Sequence, residues 1–244
     1  MAITLYQYAP LWGMPNASPF CTKLEMYLRL AGLEHTVVTL KGRSQASTRK
    51  APYIEIDGKI IADSGLIIEH LERNFGHRVD GKLTLAQRAE SLAFQRMMEE
   101  HLYWVLVYAR WLDPDARRES DAYIRSVIPV PGVLLPFIRG LVRSQNRRAM
   151  DGQGLGRHAP EVLWQLGISD VAALGHWLGT KTYGFGDAPT VFDACLASYI
   201  GGIVRQPWSN PLKVATLKYG NLVAHFERMM TLTFPELGAP TASA

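Results

Sequence analysis

The chain has 244 residues, of which 48% are hydrophobic, so it is long enough to form one large domain or two small ones around a substantial core. Its formal net charge is small, +4, and most of its basic residues are scattered. The one basic stretch, between Arg139 and Arg148, is typical of a solvated helix face, so no nucleic-acid partner is expected. The two cysteines, Cys21 and Cys195, exclude a disulfide framework and a cysteine-rich metal site, and they favour a reducing compartment.

Strand and helix signals alternate in the first third of the chain. Strands are predicted at 3–8, 35–40, 53–56 and 59–61, and helices at 19–31 and 64–75. Gly32 and Gly76 are placed to end the two helices, and Asp57-Gly58 is a strong hairpin signal. The order β-α-β, hairpin, α predicts a thioredoxin-like layer.

After Gly81 strand signals almost vanish. Helices are predicted at 84–112, 116–127, 133–150, 159–178, 190–206 and 211–230. The predicted fold class is therefore an α/β thioredoxin-like N-terminal domain at 1–78 followed by an all-α C-terminal domain at 84–235, with the boundary near 77–83.

The stretch Ser18-Pro19-Phe20-Cys21 stands where the first strand should pass into the first helix. It has the outline of a Cys-Pro-aromatic-Cys dithiol motif with serine in place of the first cysteine, so it cannot form a disulfide within itself. Ser18 could be a helix N-cap alone. It could also hold the thiolate of a ligand with its hydroxyl and the positive end of the helix dipole. Cys21 is either a small buried hydrophobe or a redox-active thiol.

Two further motifs lie around the predicted hairpin. The Ala51-Pro52 bond precedes a strand, where a trans peptide bond is the default. In a thioredoxin-like layer, however, this proline is normally cis, and the cis bond turns the N–H and C=O groups of the preceding residue toward a ligand. Asp63-Ser64 could simply cap the following helix. The same pair could hold an amino-acid head group, with its α-carboxylate at the helix N-terminus and its α-amine on Asp63.

The remaining sequence features predict structure and location but no catalytic or binding role. Thr190 to Asp193 is a variant of the helix capping box, and the seven histidines show no metal-ligand spacing, so no metal is expected. The longest apolar stretch, 127–141, contains three prolines and is too short to span a membrane, so it is expected to be buried or lid-like. Met1 to Leu5 lacks the features of a signal peptide, and a cytoplasmic location is expected.

Taken together, these motifs resemble those of the glutathione transferase superfamily over nearly the whole chain. The resemblance rests on Ser18-Pro19-Phe20, Pro52 after Ala51, Asp63-Ser64 and the box at 190–193. The segments 12–16, 18–25, 154–158 and 189–194 are similar to the metaxin-like, failed-axon-connections-like branch, which includes binding proteins as well as enzymes.

The resemblance implies that glutathione is a co-substrate and that Ser18 is the catalytic group. Glutathione would lie along Lys50, Ala51, Pro52, Asp63 and Ser64, and a small-molecule electrophile would contact Trp12, Asn16, Tyr103, Trp104 and Tyr108. A homodimer is implied too, with the α/β layer of one subunit packed on segment 84–112 of the other, which carries the apolar residues Leu102, Tyr103, Trp104, Leu106 and Trp111. Two alternatives stay open: a non-catalytic adaptor of metaxin type, and a glutathione-dependent thiol oxidoreductase using Cys21.

Overall fold

The computed structural model describes residues 2–40, 44–76, 78–127 and 131–237. The first part is a four-stranded mixed sheet with two helices. Its elements are β1 (Ile3–Gln7), α1 (Pro19–Leu30), β2 (His35–Thr39), β3 (Tyr53–Ile56), β4 (Lys59–Ala62) and α2 (Ser64–Phe75). The strand order is β2-β1-β3-β4, with β1 and β2 parallel and the other two pairs antiparallel. The predicted thioredoxin-like layer is confirmed; residues 41–43, which follow β2, lie outside the described ranges.

The sheet and its two helices share one apolar core. Alternate residues of β1, Ile3 and Leu5, are buried because successive side chains of a strand point to opposite faces. They pack with the buried faces of α1 and α2, whose members are Leu24, Tyr27, Leu28, Ile67, Ile68 and Leu71. Gly32 and Gly76 end these helices with φ values of 64° and 80°, a conformation that glycine adopts without strain. This packing fixes where the two helix N-termini lie.

The second part is helical, as predicted. Its α-helices are α3 (Leu85–Met97), α4 (Tyr103–Val107), α5 (Arg117–Val127), α6 (Leu135–Gln153), α7 (Pro160–Leu178), α8 (Val191–Val204), α9 (Pro211–Leu217) and α10 (Gly220–Thr233). The centre of this domain is α8, which is buried from Val191 to Ile203. Helix α1 packs directly on α8, so the two parts of the chain share an interface.

The prediction of one regular helix over 84–112 was wrong in detail. Two π-helical segments, Met98–Leu102 and Tyr108–Leu112, interrupt the α-helical geometry on either side of α4. Wider turns of this kind change the direction in which following side chains project and are frequent at functional sites. Leu102 and Leu106 are buried within the chain itself, so the expected surplus of apolar surface on this segment is smaller than the sequence suggested.

The predicted helix at 211–230 is in fact two helices. α9 ends at Leu217 and α10 begins at Gly220, with Tyr219 between them at φ −93° and ψ 79°. The Tyr219 ring lies against Gly175 of α7, where a side chain would clash with it. The break therefore lets the tyrosine ring cover a glycine on a neighbouring helix, which helical periodicity alone does not reveal.

The capping box before α8 is confirmed and tied to the rest of the domain. The Asp193 carboxylate accepts hydrogen bonds from the Thr190 N–H and hydroxyl at 2.8 and 2.6 Å and from the Gly184 N–H at 2.8 Å. It also lies 2.7 Å from Nε2 of the fully buried His225. One carboxylate thus organises the start of the central helix.

The apolar stretch 127–141 is mostly exposed in the part that the structure describes, although Leu135 is buried. Val133, Phe137 and Leu141 are 83%, 65% and 53% exposed, so the expectation of burial was wrong for these residues. The stretch is interrupted by prolines and followed by the arginine-rich half of α6. Among the described residues, no helix has both the length and the apolar character needed to cross a membrane.

Candidate functional site

Strand register brings the sequence motifs to one edge of the sheet. Tyr6 pairs with Tyr53 and Tyr53 pairs with Ala62, so the end of β1, the start of β3 and the end of β4 lie side by side. Tyr8, Pro52 and Asp63 continue from these three strand ends. The loop that leaves β1 returns to its own start, since the Ala17 N–H donates to the Ala9 carbonyl at 3.2 Å, so the N-terminus of α1 lies at the same edge.

Ser18 occupies the N-cap position of α1, and Pro19 is the first helical residue. Its backbone is extended, with φ −104° and ψ 129°, and its side chain makes no capping hydrogen bond to the helix N–H groups. Ser18 is half-buried. The hydroxyl is therefore not used as a cap, and the first N–H groups of a helix have no partner within the helix, so this point favours an anion, as does the helix dipole.

The loop between β1 and α1 is held in one shape. Asn16 is buried; its Nδ2 donates to the Tyr8 carbonyl at 2.5 Å, and its Oδ1 accepts from the Ser18 N–H at 2.9 Å. Leu11 and Met14 exchange two backbone hydrogen bonds across a tight turn in which Trp12 has a φ of 52°. The structure thus places Asn16 inside the loop as a tie that positions Ser18.

The residues expected to bind the middle of glutathione lie at the start of β3. The Ala51-Pro52 bond is cis, as predicted. Pro52 is buried, Ala51 is half-buried and Lys50 is exposed. The Lys50 carbonyl accepts a hydrogen bond from the Ser44 hydroxyl at 2.8 Å, so the segment before the proline is anchored to the preceding loop.

Asp63 and Ser64 form the start of α2. The Asp63 Oδ1 atom accepts from the Gly65 and Leu66 N–H groups at 2.9 and 3.2 Å, so Asp63 is a true N-cap. Its φ of 75° is uncommon for a residue with a side chain and costs free energy. The carboxylate is exposed, while Ser64 is buried beneath it. The cap and ligand-binding interpretations are compatible, because Oδ2 makes no hydrogen bond within the described chain.

Cys21 lies one turn into α1 and is fully buried. Burial raises the pKa of its thiol to about 12, against smaller opposing effects of hydrogen bonds with the backbone of Tyr8 and with the Ser18 hydroxyl. A thiol that stays protonated at neutral pH is a poor nucleophile. Cys195 is also free and fully buried, and burial raises its pKa as well.

The structure adds residues that the sequence reasoning missed. Burial raises the pKa of Tyr8, as does the nearby Cys21 thiol, while a hydrogen bond with the Ala51 backbone lowers it, so this hydroxyl lies between α1 and the cis proline. Tyr123 and Arg110 join this group beside Tyr103, which the sequence had already placed in the electrophile pocket. Burial raises the pKa of both tyrosines, and Arg110 partly opposes that rise. Tyr8 directly follows β1, at the edge of the sheet where the other motifs meet, and this position is the feature of the sequence that could have identified it.

Only some of the predicted electrophile-pocket residues come together near Ser18. Tyr103 packs edge-on against Phe20, with ring centres 5.0 Å apart. Trp12 lies under the Arg110 guanidinium, 5.1 Å from its ring centre. Trp104 and Tyr108 belong to a different apolar cluster with Met150, Leu155 and Leu163. Met150 belongs to α6 and Leu163 to α7, so Trp104 and Tyr108 face these two helices. The two aromatic residues are four positions apart, which places both on one side of their own helix.

Ionisable side chains are not grouped as in a metal centre. Across the described residues, no set of three or more His, Cys, Asp or Glu side chains is arranged to hold a metal ion. The polar groups at the sheet edge are instead hydroxyls, backbone groups, one exposed carboxylate and one guanidinium. Such a set suits a zwitterionic peptide bearing a thiol.

The fold is shared with solved structures over nearly the whole chain. The beta-etherase LigF from Sphingobium sp. strain SYK-6 superposes with a TM-score of 0.67 at 19% identity, covering 97% of this chain and 98% of that one. A glutathione S-transferase from Methylobacterium radiotolerans, solved with glutathione sulfonate, gives a TM-score of 0.60 at 16% identity over 100% and 97% of the two chains.

Sequence comparison gives closer relatives. Isoprene-epoxide–glutathione S-transferase of Rhodococcus sp. (strain AD45) is 38% identical over 93% of this chain and 97% of its own length. Failed axon connections of Drosophila melanogaster is 32% identical and human metaxin-1 is 27% identical, each over 96% of this chain, which spans 58% and 52% of those longer proteins.

Two family models match the chain. The glutathione S-transferase N-terminal domain matches residues 19–116, and the glutathione S-transferase C-terminal domain matches residues 167–229. These matches, the relative from Rhodococcus and the fold agree with one another. The chain therefore belongs to the glutathione S-transferase superfamily, and failed axon connections and metaxin-1 are among its relatives.

Proposed function

We propose that this protein is a glutathione transferase that activates the thiol of glutathione at Ser18 for attack on a small-molecule electrophile. The observation that carries the proposal is the Ser18 side chain, which stands at a helix N-terminus and makes no capping bond of its own. A hydroxyl donor and a helix dipole at one point stabilise a thiolate over a thiol. The similarity to a transferase named for an epoxide substrate supports the same reaction type.

In this proposal glutathione lies along the sheet edge from Ala51 to Ser64. Its cysteinyl backbone meets Ala51, whose neighbouring peptide bond is cis. Its γ-glutamyl carboxylate meets the N-terminus of α2 and its amine meets Asp63, whose Oδ2 atom is free of hydrogen bonds within the described chain. The thiolate then reaches Ser18, with Tyr8 as a second hydroxyl nearby.

Two alternatives predict different behaviour. A thiol oxidoreductase would need Cys21 to ionise and to reach a ligand, and its complete burial opposes both. An adaptor would keep the fold and could keep the ligand, and the similarity to failed axon connections and metaxin-1 favours this second candidate. We further propose a cytoplasmic location, in keeping with two free cysteines.

Calorimetric titration with glutathione, followed by turnover assays, tests the proposal. We expect saturable binding, thiolate absorbance in the ultraviolet at neutral pH, and conjugation with at least one alkyl or epoxide electrophile. Absence of glutathione binding at millimolar concentration would reject the proposal. Binding without turnover against a broad set of electrophiles would establish the adaptor instead.

A further inference from the structure

Arg110 is a half-buried cation without an acidic partner. Several other half-buried arginines face a carboxylate: Arg29 faces Glu25, Arg139 faces Asp121 and Arg205 faces Glu227. In the described part of the chain no carboxylate oxygen lies within 4 Å of the Arg110 guanidinium. Its two contacts are a hydrogen bond from Nη1 to the Ala17 carbonyl and the face of the Trp12 ring.

This arrangement costs free energy in the empty protein. Burial lowers the pKa of Arg110, which means that the charged form is poorly solvated, and its buried Nε atom has no hydrogen-bond acceptor. A charge or donor held in this way destabilises the fold unless something else neutralises it. An anionic ligand or one with an oxygen acceptor is the natural partner, because the described chain gives the guanidinium the Ala17 carbonyl but neither a carboxylate nor an acceptor for Nε.

The position of Arg110 links it to the thiol site. Its acceptor, Ala17, directly precedes Ser18, so the guanidinium is fixed against the N-terminus of α1. The hydroxyls of Tyr103 and Tyr123 are close enough to oppose the lowering of the Arg110 pKa by burial, and both tyrosines also interact electrostatically with Tyr8 and Cys21. The π-helical segment Tyr108–Leu112 carries Arg110 toward this group, while Trp104 and Tyr108 face α6 and α7.

We propose that Arg110 is a catalytic residue whose guanidinium binds the oxygen of the electrophile, and that the preferred electrophiles are epoxides. The inference rests on the proposed function. The glutathione sulfur forms a bond to a ring carbon, the C–O bond of that carbon breaks, and its electron pair moves to the oxygen. The proton that the thiol released to water is replaced by one that the alkoxide takes from water, so the net reaction is an addition. Donors fixed before the charge develops stabilise such an oxyanion strongly.

The test compares two electrophiles that are both attacked at a saturated carbon. 1,2-Epoxybutane develops charge on oxygen, whereas iodoethane releases iodide, a weak hydrogen-bond acceptor. We expect Arg110→Gln to lower kcat/KM for the epoxide by ~10²- to 10³-fold, mainly through kcat, and for iodoethane by less than ~5-fold. Arg110→Lys should recover part of the epoxide activity. Arg143→Gln is the matched control, since Arg143 is also half-buried and donates to a backbone carbonyl, that of Leu112, away from Ser18.

The outcomes separate this inference from the proposed function. An equal loss for both electrophiles would show that Arg110 only shapes the loop through Ala17 and Trp12, and would overturn the inference. An unchanged epoxide rate in Arg110→Gln would overturn it as well. If the parent protein conjugates iodoethane but no epoxide, the inference fails while the transferase assignment stands. If the parent protein does not bind glutathione, the proposed function itself is rejected, and the inference about Arg110 with it.

Discussion

The Lys23 ammonium lies 2.5 Å from the Glu99 carboxylate, and both side chains are almost completely buried. Lys23 belongs to α1 and Glu99 to the first π-helical segment, so this ion pair crosses the interface between the sheet domain and the helical domain. Arg96 also reaches Glu99 at 2.8 Å from the more exposed side. The pair therefore couples the position of α1, which carries Ser18, to the helix that carries Tyr103 and Arg110.

Removing one member of this pair leaves a buried charge. We expect Lys23→Met to lower the free energy of unfolding by about 3 kcal/mol, the low end of the range for broken buried pairs because Arg96 still faces Glu99. Urea unfolding measures this. Arg73→Met is the control, since it breaks an exposed pair with Glu69 and should cost less than about 1 kcal/mol. Equal losses of unfolding free energy in Lys23→Met and Arg73→Met would contradict the coupling. The double variant Lys23→Met/Glu99→Leu removes the unpaired carboxylate as well, so it should recover part of the free energy that Lys23→Met loses.

Ser18 is expected to act through one hydrogen bond to the thiolate. Ser18→Ala should lower kcat/KM by ~10- to 100-fold at neutral pH, because a bond to a charged group contributes about 1.5–3 kcal/mol. The pKa of the bound thiol should rise, so activity should recover as the pH is raised. The pH–rate profile of the variant measures this. Ser169→Ala, on the exposed surface of α7, should behave like the parent. A profile identical to that of the parent would remove Ser18 from the mechanism.

Cys21 is expected to be inert in the folded protein. Its thiol should resist aromatic disulfide reagents at pH 8 until urea is added, and Cys21→Ala should retain most conjugation activity. Because burial raises the native pKa to about 12, its contribution to stability is complete below the unfolded value near 8.5 and falls as the pH rises above it. The difference in unfolding free energy between the parent and Cys21→Ala should therefore shrink by up to about 1.4 kcal/mol for each pH unit above 9. Inactivity of Cys21→Ala together with a fully active Ser18→Ala would support the oxidoreductase.

Asp63 is expected to bind the amine of glutathione through its charge. Asp63→Asn tests the charge alone, because an asparagine Oδ1 atom can still accept from the Gly65 and Leu66 N–H groups and asparagine tolerates a positive φ. The dissociation constant for glutathione, measured by calorimetry, should rise ~10- to 100-fold. Glu69→Gln removes an exposed carboxylate from the same helix and should leave affinity unchanged. A dissociation constant equal in Asp63→Asn and the parent would assign Asp63 to capping only.

Local signals were sufficient for the sheet domain and for the placing of its motifs. The sequence signals for this domain are a glycine after each helix, an Asp-Gly hairpin turn and a Ser-Pro helix start. Each signal determines the backbone only a few residues away, so the ends of α1, β3, β4 and α2 were predicted to within one or two residues. The π-helical segments and the break at Tyr219 depend on contacts between helices far apart in sequence. For the same reason, the separation of Trp104 and Tyr108 from Ser18, and the approach of Arg110 to it, could not be read from spacing alone.

The homodimer remains an expectation, with the sheet domain of one subunit against segment 84–112 of the other, and the structure narrows the exposed apolar residues of that segment to its first helix, α3. Leu85 and Leu92 are 87% and 51% exposed and stand seven residues apart on one face of α3, while Ile60 and Leu66 are 45% and 59% exposed on the sheet domain. Contact between α3 of one subunit and the sheet domain of the other would cover both apolar sets. We expect the mass of a dimer in light scattering at micromolar concentration and a monomer for Leu92→Glu. Leu217→Glu, at an equally exposed leucine of α9, should stay dimeric. A monomeric parent protein at that concentration would rule the dimer out, and a dimeric Leu92→Glu would move the interface away from α3.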